Sequence, residues 1–311
     1  MYKLTTLTVS TIIISKLQTE RMRLNGRRES SNISDRRGSG RGPGLKIGGG
    51  ITAVIIAAII AWISGGNPLD VLTSNVGNIV GGTQESSATY TPTEEEEELA
   101  RFSRQILAGT EDVWTKLFNE MGLEYEAPTL VLFNDAVQSG CGNATAAVGP
   151  FYCSADECLY IDLSFFRDMR KTLGADGDFA YAYVIAHEVG HHVQHLLGTL
   201  DEAHSAMNRT NSTEANNISV RIELQADFLA GVWAHHDNAM FNSIEPGDIE
   251  EALDASMKIG DDYLQKKAQG YPVPDSFTHG TSAQRSRWLR RGLSTGDIRQ
   301  GDTFSIPYSS L

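Results

Sequence analysis

Apolar residues recur at helical spacing through much of the chain after residue 93. Residues three and four apart lie on one face of an α-helix, so this spacing predicts helices that each bury one side. Two short apolar runs, residues 128–133 and 158–163, predict strands. The pattern therefore favours an α+β domain that is mostly helical with a small sheet. The predicted helices cover residues 94–121, 178–197, 215–237, 246–267 and 281–292.

A different pattern occupies residues 47–66, which carry no charge over twenty positions. At a rise of ~1.5 Å per residue, such a helix is ~30 Å long and matches the hydrocarbon core of a bilayer. Its densest apolar part, Ile51 to Ile63, is short, so a signal-peptide core or a buried soluble helix remains an alternative. The distance from the N-terminus favours an uncleaved transmembrane helix.

Charge is divided unevenly along the chain. Residues 1–46 carry ten Lys and Arg against three acids, a net charge of +7, whereas the whole chain is −13. Basic flanks stay in the cytoplasm, so we expect residues 1–46 to be a cytoplasmic segment of a single-pass membrane protein, with the remainder outside the cytoplasm. The rest of the chain is strongly acidic, which argues against a nucleic-acid partner.

The remaining boundaries follow from composition. Residues 67–93 are rich in Gly, Ser, Thr and Asn and predict a flexible linker. Thr93 followed by an acidic run predicts the start of a helix, and with it a domain over residues 94–311. Met22 opens a distinct basic run, so residues 1–21 are interpreted as an upstream extension or as a short genuine N-terminal region.

The candidate chemistry lies in the predicted helix 178–197, which contains His187-Glu188-Val189-Gly190-His191. This is the H-E-x-x-H spacing of zinc hydrolases. Residues four apart are nearly on one helix face, so His187 and His191 can bind one metal ion, with Glu188 beside them as general base. A polar helix face with solvated histidines is the alternative interpretation.

A catalytic zinc ion usually takes three protein ligands. A third histidine six positions after His191 is excluded because residue 197 is Leu197. Glu223, on the next long predicted helix, is the better candidate, and Asp227 one turn later can orient a ligating histidine. An ordinary surface pair of acids is the alternative.

Other histidines are less informative. His192 and His195 share the motif helix and are interpreted as neighbours of the site. His279, in a turn-rich loop, is a candidate for lining the cleft or stabilising charge in the transition state, with a packing role as the alternative.

Three cysteines, Cys141, Cys153 and Cys158, form no C-x-x-C pair, so a thiolate zinc site is not expected. A local disulfide suits an oxidising compartment, and reduced bystander cysteines suit the cytosol.

The chain resembles the bacterial putative neutral zinc metallopeptidase family of membrane-anchored proteins. The residues that carry the resemblance run from about Met22 to the last predicted helix: GRRESSNISDRRG, the apolar helix, CGNATAAVGPFYCSADECLYIDLSFF, AHEVGHHVQHLLG, ELQADFLAGVWAHH and DSFTHGTSAQRSRWLRRG. The resemblance implies a zincin-like domain with zinc held by His187, His191 and a gluzincin-like Glu223. It also implies catalysis by Glu188 and a Cys141–Cys153 pair, with Cys158 and residues 1–21 as departures.

The expected function is therefore that of a membrane-anchored zinc peptidase with one Zn²⁺ per chain, acting on peptides or proteins. Two alternatives stay open: a zinc-stabilised scaffold or binding protein without turnover, and a zinc amidase that acts on cell-wall material.

Overall fold

The structure, a computed structural model, describes residues 22–38 and 90–311. Eight helices and six strands make up these parts of the chain, apart from short 3₁₀ and π turns. The strands are β1 (Ile33–Asp35), β2 (Thr129–Phe133), β3 (Ala136–Ser139), β4 (Gly142–Thr145), β5 (Phe151–Cys153) and β6 (Cys158–Asp162). The helices are α1 (Glu94–Glu120), α2 (Ser164–Asp168), α3 (Asp178–Leu196), α4 (Thr199–Met207), α5 (Ser212–Phe241), α6 (Asp248–Lys258), α7 (Asp261–Gln269) and α8 (Ser282–Thr295).

The α+β prediction is confirmed, because helices dominate and the sheet is small. Four strands form the sheet in the order β1-β2-β6-β5, with β1, β2 and β6 parallel and β5 antiparallel to β6. Strands β3 and β4 form a separate hairpin. The central strands are buried on both faces, which explains why β2 and β6 read as continuous apolar runs.

The predicted helix starting at residue 94 is confirmed, and it begins where the sequence indicates. The Thr93 side chain accepts a hydrogen bond from the Glu96 backbone N–H, and the Glu96 carboxylate accepts one from the Thr93 N–H. This reciprocal capping satisfies two N–H groups that have no partner within the helix. The four acids of the first turn add a favourable interaction with the helix dipole.

One predicted helix is wrong in its extent. Residues 246–267 form two helices, α6 and α7, which are separated at Ile259 and Gly260. Glycine and aspartate are unfavourable inside helices and common at their ends, so Gly260-Asp261 is a natural break. The break matters for the site, because it frees Asp261 to contact the loop before α8. The α5 helix is also longer than predicted, and α4 had no counterpart in the prediction.

Two close helix contacts bring the site residues together. A Cβ atom on Gly190 of α3 would lie 3.0 Å from the backbone oxygen of Ala226, so the glycine lets α3 and α5 approach. Gly231 of α5 and Gly292 of α8 meet in the same way, since a Cβ on Gly292 would lie 2.0 Å from the Phe228 oxygen. Helix α5 is thus packed closely against both α3 and α8.

The segment before the first gap belongs to the same folded unit. Residues 22–38, called here the arm, lie within the predicted N-terminal segment 1–46, yet they supply β1 and bury Met22 and Leu24 in the main core. The backbone N–H of Met22 donates to the Asp178 carboxylate at 2.7 Å. The folded domain therefore includes residues that precede position 94.

Within residues 22–38 and 90–311, no helix is both long and apolar enough to cross a membrane. The predicted transmembrane helix at residues 47–66 lies outside the described residues, as do residues 1–21 and nearly all of the predicted linker.

Candidate metal centre

His187, His191 and Glu223 converge on one point. Their nearest donor atoms all lie within 4.8 Å of one another. The Nε2 atom of His187 is 3.2 Å from one Glu223 carboxylate oxygen, and the Nε2 atom of His191 is 3.5 Å from the other. The two imidazole rings are nearly perpendicular, with centroids 4.8 Å apart.

This donor set fits a zinc ion. Zinc bonds to nitrogen and oxygen are about 2.0–2.1 Å long, so two ligands of a tetrahedral ion are separated by about 3.3–3.4 Å. The two imidazole–carboxylate separations of 3.2 and 3.5 Å bracket that value. Two imidazoles and one carboxylate leave a fourth position open, as catalytic zinc sites require.

His187 is held from behind by a buried cluster. Its Nδ1 lies 2.9 Å from the Asp227 carboxylate, which also accepts a hydrogen bond from the Tyr183 hydroxyl at 2.5 Å. Arg285, on α8, donates to both oxygens of Asp227, at 2.8 and 2.9 Å. With the Nδ1 proton directed at Asp227, the Nε2 lone pair of a neutral His187 faces the metal position.

The charges of this cluster control the protonation of His187. Burial disfavours its charged form, but Asp227 and Glu223 outweigh burial and raise the pKa of His187 above the ordinary value. For Asp227, burial raises the pKa, and the nearby Arg285 and His187 more than reverse this, so its pKa is lowered. Asp227 is therefore an ionised acceptor, and metal binding has to displace a proton from His187.

His191 is oriented by a neutral residue. Its Nδ1 lies 2.9 Å from the side-chain oxygen of Gln194, and the Gln194 amide donates to the Ile222 backbone oxygen at 2.8 Å and to Gln225 at 3.0 Å. Gln194 thus connects His191 to the helix that carries Glu223. The Nδ1 atom of His187 contacts Asp227, and that of His191 contacts Gln194. Each histidine therefore directs its Nε2 atom at the candidate metal position.

The remaining candidates for catalysis lie close to the ligands. Glu188 is on α3 next to His187 and is 8% exposed. His279 precedes α8, and its ring Nδ1 lies 3.2 Å from a carboxylate oxygen of Asp261. Burial raises the pKa of Glu223, and the charges of neighbouring histidines, His279 among them, more than reverse this, so its pKa lies well below its usual range.

The other histidines of α3 have separate partners. His192 is fully buried between the Tyr152 hydroxyl and the Glu126 backbone oxygen, at 3.0 and 2.7 Å. His195 lies near Glu157 and Asp201. Neither belongs to the group formed by His187, His191 and Glu223.

Cys141 and Cys153 form a disulfide, and Cys158 is a free cysteine directly opposite Cys153 in the β5–β6 pair. The bridge ties the β3–β4 hairpin to the sheet.

Four residues of the site had no role in the prediction: Tyr183, Gln194, Asp261 and Arg285. Tyr183 lies four positions before His187 on the same helix, so helical spacing alone could have placed it on the face of the helix that carries His187. Gln194, three positions after His191, carries a similar signal. Asp261 and Arg285 reach the site only through the packing of α7 and α8, which no local pattern indicates.

Comparison with known proteins shows the family of the chain. Residues 22–304 match the family described as "Putative neutral zinc metallopeptidase". The chain belongs to that family. Uncharacterized protein YpfJ of Escherichia coli strain K12 is 47% identical over 288 residues, which cover 91% of this chain and 99% of the relative. Uncharacterized protein Rv2575 of Mycobacterium tuberculosis is 42% identical over 191 residues, 58% of this chain and 64% of the relative. No solved structure gives a significant match.

Membership of the putative neutral zinc metallopeptidase family implies a zinc cofactor and protein or peptide substrates. The family match includes the arm as well as the helices that carry the site.

Proposed function

We propose that this protein is a membrane-anchored zinc peptidase whose metal is held by His187, His191 and Glu223, one ion per chain. The observation that supports this most strongly is the convergence of three donor atoms within 4.8 Å, two of them four residues apart on one helix. The third donor comes from a second helix that a glycine contact holds against the first. This arrangement supports the proposal of a zincin-like site.

A zinc ion held by His187, His191 and Glu223 would act as a Lewis acid and would make a water molecule easier to deprotonate. Glu188 takes up the proton of the attacking water and returns it to the leaving amine of the peptide. Asp227 and Gln194 keep the two ligating imidazoles in the required tautomer and orientation. The low exposure of His187, Glu188 and Glu223 strengthens these electrostatic interactions.

His279 is proposed to stabilise the negative charge that develops on the scissile carbonyl oxygen. Burial disfavours its imidazolium form, but Asp261 and Glu223 outweigh burial and raise the pKa of His279. A protonated imidazole is a suitable donor for such an oxyanion. Asp261 holds the ring of His279 through its Nδ1 atom.

The domain is proposed to lie on the extracytoplasmic side of a membrane, anchored through residues 47–66. The Cys141–Cys153 disulfide supports this, because such bridges persist in oxidising compartments.

The test compares the full-length chain with Glu188→Gln, using Glu98→Gln as a matched control, since Glu98 is exposed on α1. Each is purified in detergent, its zinc content is measured, and its cleavage of an unstructured protein such as casein is followed. We expect one zinc per chain in all three and chelator-sensitive cleavage in all but Glu188→Gln. Equal cleavage by Glu188→Gln would contradict the role of Glu188. Zinc in all three with cleavage in none would favour a binding role, or an amidase that acts on cell-wall material.

A further inference from the structure

The arm, residues 22–38, is built into the domain that carries the metal site. Strand β1 pairs in parallel with β2, in the register Ile33 to Leu130. Met22 and Leu24 are 5% and 9% exposed and lie in the same core cluster as residues of α3 and α5. The arm therefore forms an edge strand and part of the core of the domain.

The arm also neutralises acids that the domain buries. Asp237 is 1% exposed, and Arg27 of the arm donates to both its carboxylate oxygens, at 2.6 and 3.0 Å. Gly109 leaves the space for this pair, because a Cβ there would lie 2.5 Å from Arg27 and 2.7 Å from Asp237. The guanidinium of Arg27 also stacks over the Phe241 ring, 3.8 Å from its centroid.

Glu111, 8% exposed, receives all its described side-chain contacts from the arm. Ser30 donates to it at 2.5 Å, Asn32 at 2.8 Å, and Arg28 forms an ion pair with it at 2.8 Å. A buried carboxylate left without such partners is strongly unfavourable. The domain is therefore incomplete without the arm.

The two ends of the segment 39–89 meet in space. A Cβ atom on Gly38 would lie 2.5 Å from the Cβ of Tyr90. The last described residue before the segment and the first one after it are therefore in contact. Between these two residues lies the apolar stretch 47–66. A single crossing there would place Gly38 and Tyr90 on opposite sides of a hydrocarbon layer about 30 Å thick.

We propose that the arm and the metal site lie on the same side of the membrane, so that the apolar stretch 47–66 anchors the domain to one membrane face without separating its two parts. This inference rests on the proposed membrane anchoring but not on peptidase activity. It replaces the expectation that all of residues 1–46 are cytoplasmic while the domain is outside.

The basic character of residues 1–46 is also weak support for placing them in the cytoplasm. Arginines of the arm form ion pairs with carboxylates: Arg23 with Glu245, Arg27 with Asp237, Arg28 with Glu111 and Asp112, and Arg37 with Asp35 and Glu97. The positive-inside tendency concerns basic residues in loops beside a membrane helix. Arginines that are bound to acids of a folded domain stabilise that domain and are poor indicators of orientation.

The test labels single cysteines in the full-length chain, in a Cys158→Ser background. Asn25→Cys reports on the arm, and Asn208→Cys, after α4, reports on the domain; both positions are exposed. Spheroplasts are treated with a membrane-impermeant maleimide before and after permeabilisation, and the membrane fraction is washed with carbonate. Labelling in detergent, together with zinc content, shows that each variant is folded and reactive.

We expect the two cysteines to behave alike, both labelled in intact spheroplasts or both only after permeabilisation, and the protein to stay in the washed membranes. Labelling of one position in intact spheroplasts and of the other only after permeabilisation would overturn the same-side proposal. Recovery of the protein in the soluble fraction would overturn the anchoring part, whatever its peptidase activity.

Discussion

The Asp261 carboxylate contacts both the backbone N–H and the imidazole ring of His279. One carboxylate oxygen of Asp261 accepts hydrogen bonds from the backbone N–H groups of Thr278, His279 and Gly280, at 2.8, 2.7 and 2.9 Å. The other carboxylate oxygen lies 3.2 Å from Nδ1 of the His279 imidazole. Asp261 is fully buried and starts α7. A single side chain thus fixes both the loop and the ring that the proposed mechanism directs at the substrate.

Replacing His279 tests that role. We expect His279→Gln to lower kcat by about 10²–10³-fold, the usual cost of losing a donor to a developing oxyanion. KM and zinc content should change little, since His279 is not one of the three proposed ligands. Steady-state cleavage kinetics with a peptide substrate measure this, with the exposed Asp275→Asn variant as control. Unchanged kcat would assign His279 a packing role.

Asp227 controls how tightly the metal is held. We expect Asp227→Asn to weaken zinc binding by about 10–100-fold, because the residue that orients a ligating histidine and raises its basicity is lost. Competition with a chromophoric chelator measures the dissociation constant, and Asp275→Asn again serves as the control. An unchanged dissociation constant would show that His187 needs no orienting carboxylate.

Zinc affinity should rise with pH. The pKa of His187 is raised in the protein without metal, because Asp227 and Glu223 outweigh the opposing effect of burial. Protonated His187 cannot bind the ion. Below the pKa of His187, zinc and a proton therefore compete for the same imidazole. The apparent affinity should therefore fall about tenfold for each pH unit lost, between about pH 8 and pH 6. An affinity that does not vary with pH would contradict this account of His187.

The arm should contribute strongly to stability. We expect Arg27→Met to lower the free energy of unfolding by about 3–5 kcal/mol, because it leaves Asp237 buried without its cation. Arg23→Met is the matched control, since Arg23 forms an exposed pair with Glu245 and should contribute little. Chemical denaturation of the two full-length variants compares them. Equal stability of the two variants would show that the Arg27–Asp237 pair does not stabilise the fold.

Sequence reasoning reached the parts of the site that are local in the chain. His187, Glu188 and His191 occupy one helical turn, and their spacing alone predicts a shared metal. The place of Glu223 on the next long predicted helix makes it the candidate for the third ligand, and the structure places it against both histidines. The helix start at Thr93 and the two central strands also follow from local patterns.

The rest depends on contacts between distant segments. Arg285 reaches Asp227 because Gly231 and Gly292 let α5 and α8 touch, and 58 positions separate the two partners. The arm was interpreted through its net charge, which does not reveal that Arg27 binds a buried carboxylate 210 positions away. Such pairings become visible only when the helices are packed.

X-ray absorption at the zinc edge tests the central claim most directly. The full-length protein is loaded with one equivalent of zinc, and its spectrum is compared with that of Glu223→Gln. We predict two imidazole nitrogens and oxygen donors at about 2.0–2.1 Å, no sulfur, and a changed shell in the variant. Sulfur at about 2.3 Å, or a shell that is the same in both proteins, would contradict a centre built from His187, His191 and Glu223.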